Sequence, residues 1–277
     1  MKVAAYQAPF LPFGSFDGVA LVADQLAACA ELGVELLCCP EGIVGGLALE
    51  SDGDDPNEVA LGVANGELAS AIDAWRGTPV TVVAGFTERD ERGDLFTAAV
   101  VLDPTGTIGV SRKSYPGYRT VIRPGAELFL HEVGGAAVGV VICNDLWYVE
   151  PARVLASRGA ALLLAPSNSG HIRDLAAAGP LRTRGRSLPI ARAVDSGTTV
   201  LVADVAGHQR GRSALGSSVV VDPDGAVLAE IDPAATGLVI ADVEPTRRVV
   251  RDPRGWDGHT NPAVTDAFLA LWRDPTT

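Results

Sequence analysis

Short apolar runs broken by polar and turn-forming positions recur along the whole chain. KVAAYQA at the start and VELLCCPEG, stopped by Pro40 and Gly42, read as buried strands. Between them Leu21, Val22, Leu26 and Cys29 or Ala30 return at helical spacing, which predicts an amphipathic helix. The stretch from Glu58 to Trp75 has the same spacing, with Leu61, Leu68, Ile72 and Trp75 on one side, and also reads as a helix. TPVTVVAGF and DLFTAAVVLD are strands, and the DPTG that follows is a hairpin signal leading into TIGVSRK.

In the middle of the chain ELFLHEV precedes GGAAVGVVICND, a strand running straight into Cys143. A helix is expected from about Glu150-Pro151, since proline suits a first helical turn. ALLLAPSNS is another buried strand, and LRTRGRSLPIARAVDS is largely helical. TTVLVADV, ALGSSVVVDPDG, AVLAEID and GLVIADV close the pattern as strands, the third of them after a DPDG turn of the DPTG kind. Early strands alternate with helices and later ones are joined by tight turns. That mixture predicts a mixed sheet, or two sheets with helices outside, and DPTG and DPDG suggest an internal duplication.

No linker or composition shift divides the 277 residues, so one α/β domain over 1–277 is the economical reading, with 244–277 as a C-terminal tail. That tail begins VEPTRRVVRDPRGWDGHTNP and would cross to a neighbouring subunit or wrap the surface. A net charge of -12 argues against nucleic acid as a partner. No apolar stretch is long enough to span a bilayer, and nothing at the N-terminus resembles a signal peptide. Cys29, Cys38, Cys39 and Cys143 lack CxxC spacing, and the histidines at 131, 171, 208 and 259 are scattered. A zinc site is not expected, and a reducing cytoplasm is the expected compartment.

Three positions carry candidate chemistry. Glu41 follows the apolar run LLCCP, where a carboxylate is desolvated and suited to general base work, although a strand-ending Glu can equally face solvent. Lys113, in GVSRKSYPG, is by itself an ordinary strand-end cation. Cys143 sits at a strand-to-helix junction, where the side chain is held out and backbone N–H groups converge, giving a nucleophile and an oxyanion site together. The other three cysteines read as buried hydrophobes. A Cys–His pair would be the usual alternative, but no histidine lies near these segments.

Together these segments resemble the nitrilase, or carbon–nitrogen hydrolase, superfamily, which carries Glu, Lys and Cys in this order at strand ends. Pro40-Glu41, Arg112-Lys113 with the later Pro124-Gly125, and Cys143-x-Asp145 with Glu150 are similar to its motifs. Gln7, SRGAALLLAPSN, ARAVDS and GSSVVVDPDGAVLAE extend the likeness along the chain. The resemblance implies a four-layer αββα sandwich with two central mixed sheets. It implies Glu41 as general base, Cys143 as nucleophile, and Lys113 with the backbone N–H of Asn144 as oxyanion holders. It also implies a small amide or nitrile substrate, water as second substrate, no metal or organic cofactor, and a homodimer or higher homo-oligomer. Asp145 and Glu150 read as scaffold, accepting local N–H groups and favouring a helix start.

Two departures from the family pattern qualify the site. The family's second Glu, expected about six residues before the Pro-Gly, is missing from SYPGYRTVIR, and the count falls on Tyr118. Cys-Asn-Asp resembles N-carbamoyl amidohydrolases, but Leu146 and Trp147 stand where those place arginines. Tyr118, Trp147, Tyr148 and Asn168 are therefore the candidate substrate-lining residues, with core packing or a turn as the alternative for the last three. An amidase reading leads. A nitrilase, an N-carbamoyl amidohydrolase and a ligand-binding protein without turnover are the alternatives.

Overall fold

The alternating apolar runs become strands in the computed structural model, which describes residues 1–174, 176–246, Ala263 and Asp266. The proposed tail beyond Thr246 lies outside the described residues, those two positions apart. The strands are β1 (Lys2–Pro9), β2 (Leu36–Cys38), β3 (Leu61–Gly62), β4 (Thr81–Arg89), β5 (Leu95–Leu102), β6 (Ile108–Arg112), β7 (Leu130–Val133), β8 (Ala136–Val140), β9 (Leu162–Pro166) and β10 (Thr199–Ala203). They continue as β11 (Val205–Ala206), β12 (His208–Gln209), β13 (Arg212–Ser213), β14 (Val219–Val221), β15 (Val227–Glu230) and β16 (Gly237–Asp242). The helices are α1 (Asp17–Glu31), α2 (Glu67–Ala71), α3 (Val149–Ser157) and α4 (Gly179–Ser196).

Side chains along a strand point alternately to its two faces, and here both faces are covered. Val3 and Ala5 of β1, Leu36 and Cys38 of β2, and Val83 of β4 meet Val138, Leu162, Leu164, Leu201 and Val220 in a core between two sheets. The opposite faces of β1, β2 and β4, with Ala4, Tyr6, Leu37 and Phe86, pack against Val22 and Leu26 of α1, Leu68 of α2 and Ile72 just after it. Leu163, Val200 and Val202 of the second sheet pack against Leu155 of α3 and Ala193 of α4. The result is the expected αββα sandwich. Each fully buried leucine, such as Leu36 or Leu162, contributes roughly 1.5–3 kcal/mol by leaving water.

The sheets share one plan. In the first, β16, β1, β2, β4, β5 and β6 are successive neighbours, paired antiparallel, parallel, parallel, antiparallel and antiparallel. In the second, β7, β8, β9, β10, β14 and β15 repeat that series of directions. The two DP-x-G turns join equivalent strand pairs by the same device. Asp103 Oδ1 accepts Thr105 N and Thr107 N at 2.9 Å, and Asp222 Oδ1 accepts Asp224 N at 2.9 Å and Ala226 N at 2.8 Å. Gly106 and Gly225 take φ of 88° and 87°, which glycine adopts without steric cost. Gln7 ties the sheets to the last turns, accepting Ser218 N and donating to the carbonyls of Asp232 and Ala235.

Two elements differ from the sequence reading. The helix expected from Glu58 to Trp75 is the short strand β3, then α2, then a single 3₁₀ turn, Asp73–Trp75. Gly66 stands at φ 82° before α2, and Glu67 Oε2 accepts Gly62 N at 2.8 Å, so the chain turns where a continuous helix would need to begin. TTVLVADV, expected as one strand, divides at Asp204. β10 pairs with β9 and β14 in the second sheet, whereas β11 pairs with β1 in the first. Among the described residues no helix is long and apolar enough to cross a membrane.

Candidate active site

Three chain segments leave their sheets at neighbouring points and bring their next side chains together. After β2 the chain continues through Pro40 to Glu41, which is 1% exposed. Gly85 of β4 lies so near that a Cβ there would stand 2.5 Å from both Glu41 Cα and Gly42 N. Only glycine allows that approach.

Lys113 follows β6 and is buried. Its N–H donates to Thr97 O at 2.8 Å and its carbonyl accepts Gly125 N at 2.7 Å. A Cβ on Gly125 would stand 2.7 Å from Arg112 O, which gives the Pro124-Gly125 pair a packing reason. Arg112 departs from the site, making two 2.7 Å bonds to the Glu88 carboxylate and lying over the Phe96 ring.

Cys143 opens a 3₁₀ turn, Cys143–Trp147, just beyond Val141 and Ile142, which follow β8. Its φ is 45°, a left-handed conformation that costs a non-glycine residue on the order of 1 kcal/mol. Asp145 holds the turn in place by accepting Ile142 N at 3.0 Å, Ser114 N at 3.3 Å and Tyr115 N at 2.8 Å. Asn144 Nδ2 adds a bond to Tyr115 O at 3.0 Å. Asp145 thus does more than steady its own turn: it fastens the cysteine segment to the lysine segment. Burial raises its pKa despite Lys113 and the three N–H donors.

Lys113 Nζ donates to Glu41 Oε1 at 2.6 Å, and burial of both partners keeps water out of the pair. Burial alone would lower the Lys113 pKa, but Glu41, Cys143 and Asp145 together raise it, so the ammonium persists. The Cys143 thiol is pushed up to about 12, first by burial and then by the Glu41 charge, against the opposing pull of Lys113 and of a hydrogen bond from the Asn168 backbone. At neutral pH the resting site therefore holds a neutral thiol beside the Lys113 ammonium.

The remaining candidates lie around this centre. Tyr118 packs against Ala60, Leu95 and Ile122, and its hydroxyl donates to Asp54 O. Trp147 is 46% exposed and lies beneath the Arg184 guanidinium. Tyr148 is 39% exposed and stacks on Tyr115, with ring centroids 3.7 Å apart. Asn168 is buried, and its amide donates to Glu41 O and accepts Gly170 N. Sequence reasoning missed Asp204, a fully buried carboxylate whose charge also acts on Cys143. Its signal was available, since a lone acid inside the apolar run TTVLVADV is an expensive residue to bury without a purpose.

Comparison with known proteins adds a family to this geometry. The carbon-nitrogen hydrolase family model matches residues 2–251. A nitrilase of Pyrococcus abyssi is 32% identical over 217 residues, covering 76% of this chain and 78% of the relative. An (R)-stereoselective amidase of a Pseudomonas species is 30% identical over 214 residues, covering 75% and 72%. Among solved structures, an amidase from Nesterenkonia sp. AN1 superposes with a TM-score of 0.78 at 23% identity, covering 97% of this chain and 99% of that one. In that structure, of a variant, acrylamide is attached by Michael addition at the active site cysteine.

Proposed function

The chain belongs to the carbon-nitrogen hydrolase family, and from that premise we propose that it hydrolyses a small amide through a thioester on Cys143. Glu41 is the general base, and Lys113 with the Asn144 N–H receives the oxyanion. Acylation begins as the Cys143 sulfur attacks the amide carbon while its proton passes to Glu41. The carbonyl oxygen gains charge facing the Lys113 ammonium, already in place and dry, so no reorganisation is needed at that moment. As the carbon–nitrogen bond breaks, Glu41 returns its proton to the leaving nitrogen and ammonia or an amine departs. Glu41 then deprotonates water, which attacks the thioester carbon. The acid is released and the proton returns to the sulfur.

The observation carrying this reading is the buried 2.6 Å contact between Glu41 and Lys113, with a protonated thiol in the field of both. A thiol held neutral needs a base at the instant of attack, and the carboxylate beside it can take that part. We take Trp147 and Tyr148, exposed at the end of the cysteine turn, as substrate-lining residues, aromatic surfaces that would favour an uncharged acyl group over the carboxylate-bearing group of N-carbamoyl amino acids. Likeness to an (R)-stereoselective amidase and to a nitrilase makes amides and nitriles the first substrates to try. We take the working form to be a homodimer or larger homo-oligomer, as is common in the family.

The test is ammonia release from a panel of aliphatic and aromatic primary amides, with nitriles and carbamoyl compounds in parallel. Turnover that disappears in Cys143→Ala supports the proposal, and the absence of any Cys143-dependent turnover across the panel rejects it. The missing second Glu is the reason to keep a second reading, a ligand-binding protein without turnover. Acid formation from any panel member excludes that reading.

A further inference from the structure

Glu41 follows a strand of the first sheet, yet a short loop of the second sheet is bonded to it. The loop follows β9 and runs from Ser167 to Gly170. Glu41 N donates to Ser167 O at 3.2 Å, and Asn168 Nδ2 donates to Glu41 O at 3.2 Å. Asn168 Oδ1 accepts Gly170 N at 3.0 Å, which fixes the amide's orientation. The Asn168 backbone, in turn, acts to lower the Cys143 pKa against the larger effect of burial. With both ends of its amide engaged inside the protein, the side chain is directed to the scaffold.

The loop is itself clamped from the other sheet-to-sheet crossing. Asp204, 0% exposed, stands where the chain leaves β10 for β11. Its Oδ1 accepts Ser169 N at 2.9 Å and Val205 N at 2.8 Å. Its Oδ2 accepts Ser169 Oγ at 2.7 Å, Ser217 N at 3.0 Å and Ser217 Oγ at 2.6 Å. Ser169 Oγ also accepts Leu215 N at 2.8 Å, and Ser167 N donates to Ala203 O at 2.8 Å. A buried carboxylate with this many donors is a rigid anchor, because losing any of them leaves charge uncompensated.

We propose that Asn168 is a positioning residue of the reaction, holding the Glu41 backbone with its side-chain amide in a loop that Asp204 locks. This inference rests on the hydrolase reading, since it assigns Glu41 and Cys143 the parts described above. The charged groups acting on Cys143 are Glu41, Lys113 and Asp204. A loosened loop weakens the influence of the Asn168 backbone, which favours the thiolate.

The experiment compares wild type with Asn168→Ala, Asn168→Asp and the milder Ser169→Ala, each first checked for a cooperative melt. Two readouts are taken: kcat and KM on an amide, and the pH dependence of Cys143 alkylation by iodoacetamide. A 1 Å misplacement of a reacting group costs about 10²-fold, so kcat should fall by about that factor in Asn168→Ala with KM unchanged. The alkylation profile should move to higher pH. Asn168→Asp, which keeps the acceptor for Gly170 and loses the donor to Glu41, should lose kcat as well, and Ser169→Ala should lie between it and wild type. A raised KM with unchanged kcat would instead make Asn168 a substrate-lining residue, and wild-type values for both readouts in Asn168→Ala would equally overturn the proposal. If Asn168→Ala does not fold, the same comparison on Ser169→Ala decides. Alkylation needs no turnover, so a wild type inert to every amide would sink the hydrolase reading while the alkylation comparison still judged the loop.

Discussion

Glu41 and Lys113 are each affordable in the interior only because the other is present. Lys113→Ala would strand a buried carboxylate, at a cost of about 3–5 kcal/mol, and thermal melting should register it. Lys113→Met combined with Glu41→Gln should melt closer to wild type than Lys113→Ala does, because no charge is then left uncompensated. Glu41 also permits a sharper test, since its charge and its basicity act on Cys143 in opposite directions. Its charge holds the thiol protonated, so Glu41→Gln would speed alkylation by iodoacetamide if charge were all that mattered. If Glu41 is the base that removes the proton, the same variant slows alkylation at neutral pH. Mass spectrometry of the labelled peptide distinguishes the two. Glu41, Lys113 and Cys143 were readable as a set through their resemblance to the family's motifs; Glu41 and Cys143 also end apolar runs, whereas Lys113, after Ser111-Arg112, is by itself an ordinary strand-end cation. Asn168 and Asp204 were less readable: their partners lie 127 and 35 positions away, at Glu41 and Ser169, and no local pattern encodes such pairings.

Among the elements, the turns that deliver the site residues depend on close backbone approach. Gly85→Ala would press a methyl group into the backbone at Glu41 and Gly42. It should therefore lower both the melting temperature and kcat. Gly117→Ala is the control: the residue has no positive φ and nothing within 4 Å of the added Cβ, so stability and rate should stay near wild type. Equal effects of the two changes would contradict the packing argument. Strand period made most elements readable, since each face of β1, β2, β9 and β10 has an apolar layer of its own. The false helix from Glu58 to Trp75 arose because Leu61, Leu68, Ile72 and Trp75 pack against one core from separate short elements that happen to keep helical spacing. Likewise, TTVLVADV has one continuous hydrophobic signature although its two ends join different sheets.

Across the molecule, burial of thiols sets a definite alkaline limit. Burial pushes Cys29 up to about 11, and it raises Cys38 and Cys39 above their ordinary value as well, while Cys143 is raised to about 12. A folded pKa above the unfolded value of 9.0 means that the unfolded chain loses its protons first. The stability contributed is then complete below that value and lost as pH rises through the folded pKa. The melting temperature should be level from about pH 7 to pH 8.5 and fall progressively towards about pH 11, with a smaller fall in Cys29→Ala. A level curve across that range would contradict the burial of these groups. Two sheets were anticipated from the mixture of helix-linked and turn-linked strands and from the family resemblance, and DPTG and DPDG, read as a hint of duplication, mark equivalent turns in the matched sheets. The pairing order was not anticipated, because strand order depends on contacts between residues far apart in the chain.

The central claim is a thioester on Cys143, and partitioning by hydroxylamine tests it most directly. With the amide identified by ammonia release, turnover is run in the presence of hydroxylamine, and hydroxamate and free acid are both measured. The account predicts hydroxamate formed at the expense of acid by the wild type, with ammonia release not slowed, and neither product from Cys143→Ala. Acid formed without any hydroxamate, or turnover persisting in Cys143→Ala, would contradict it.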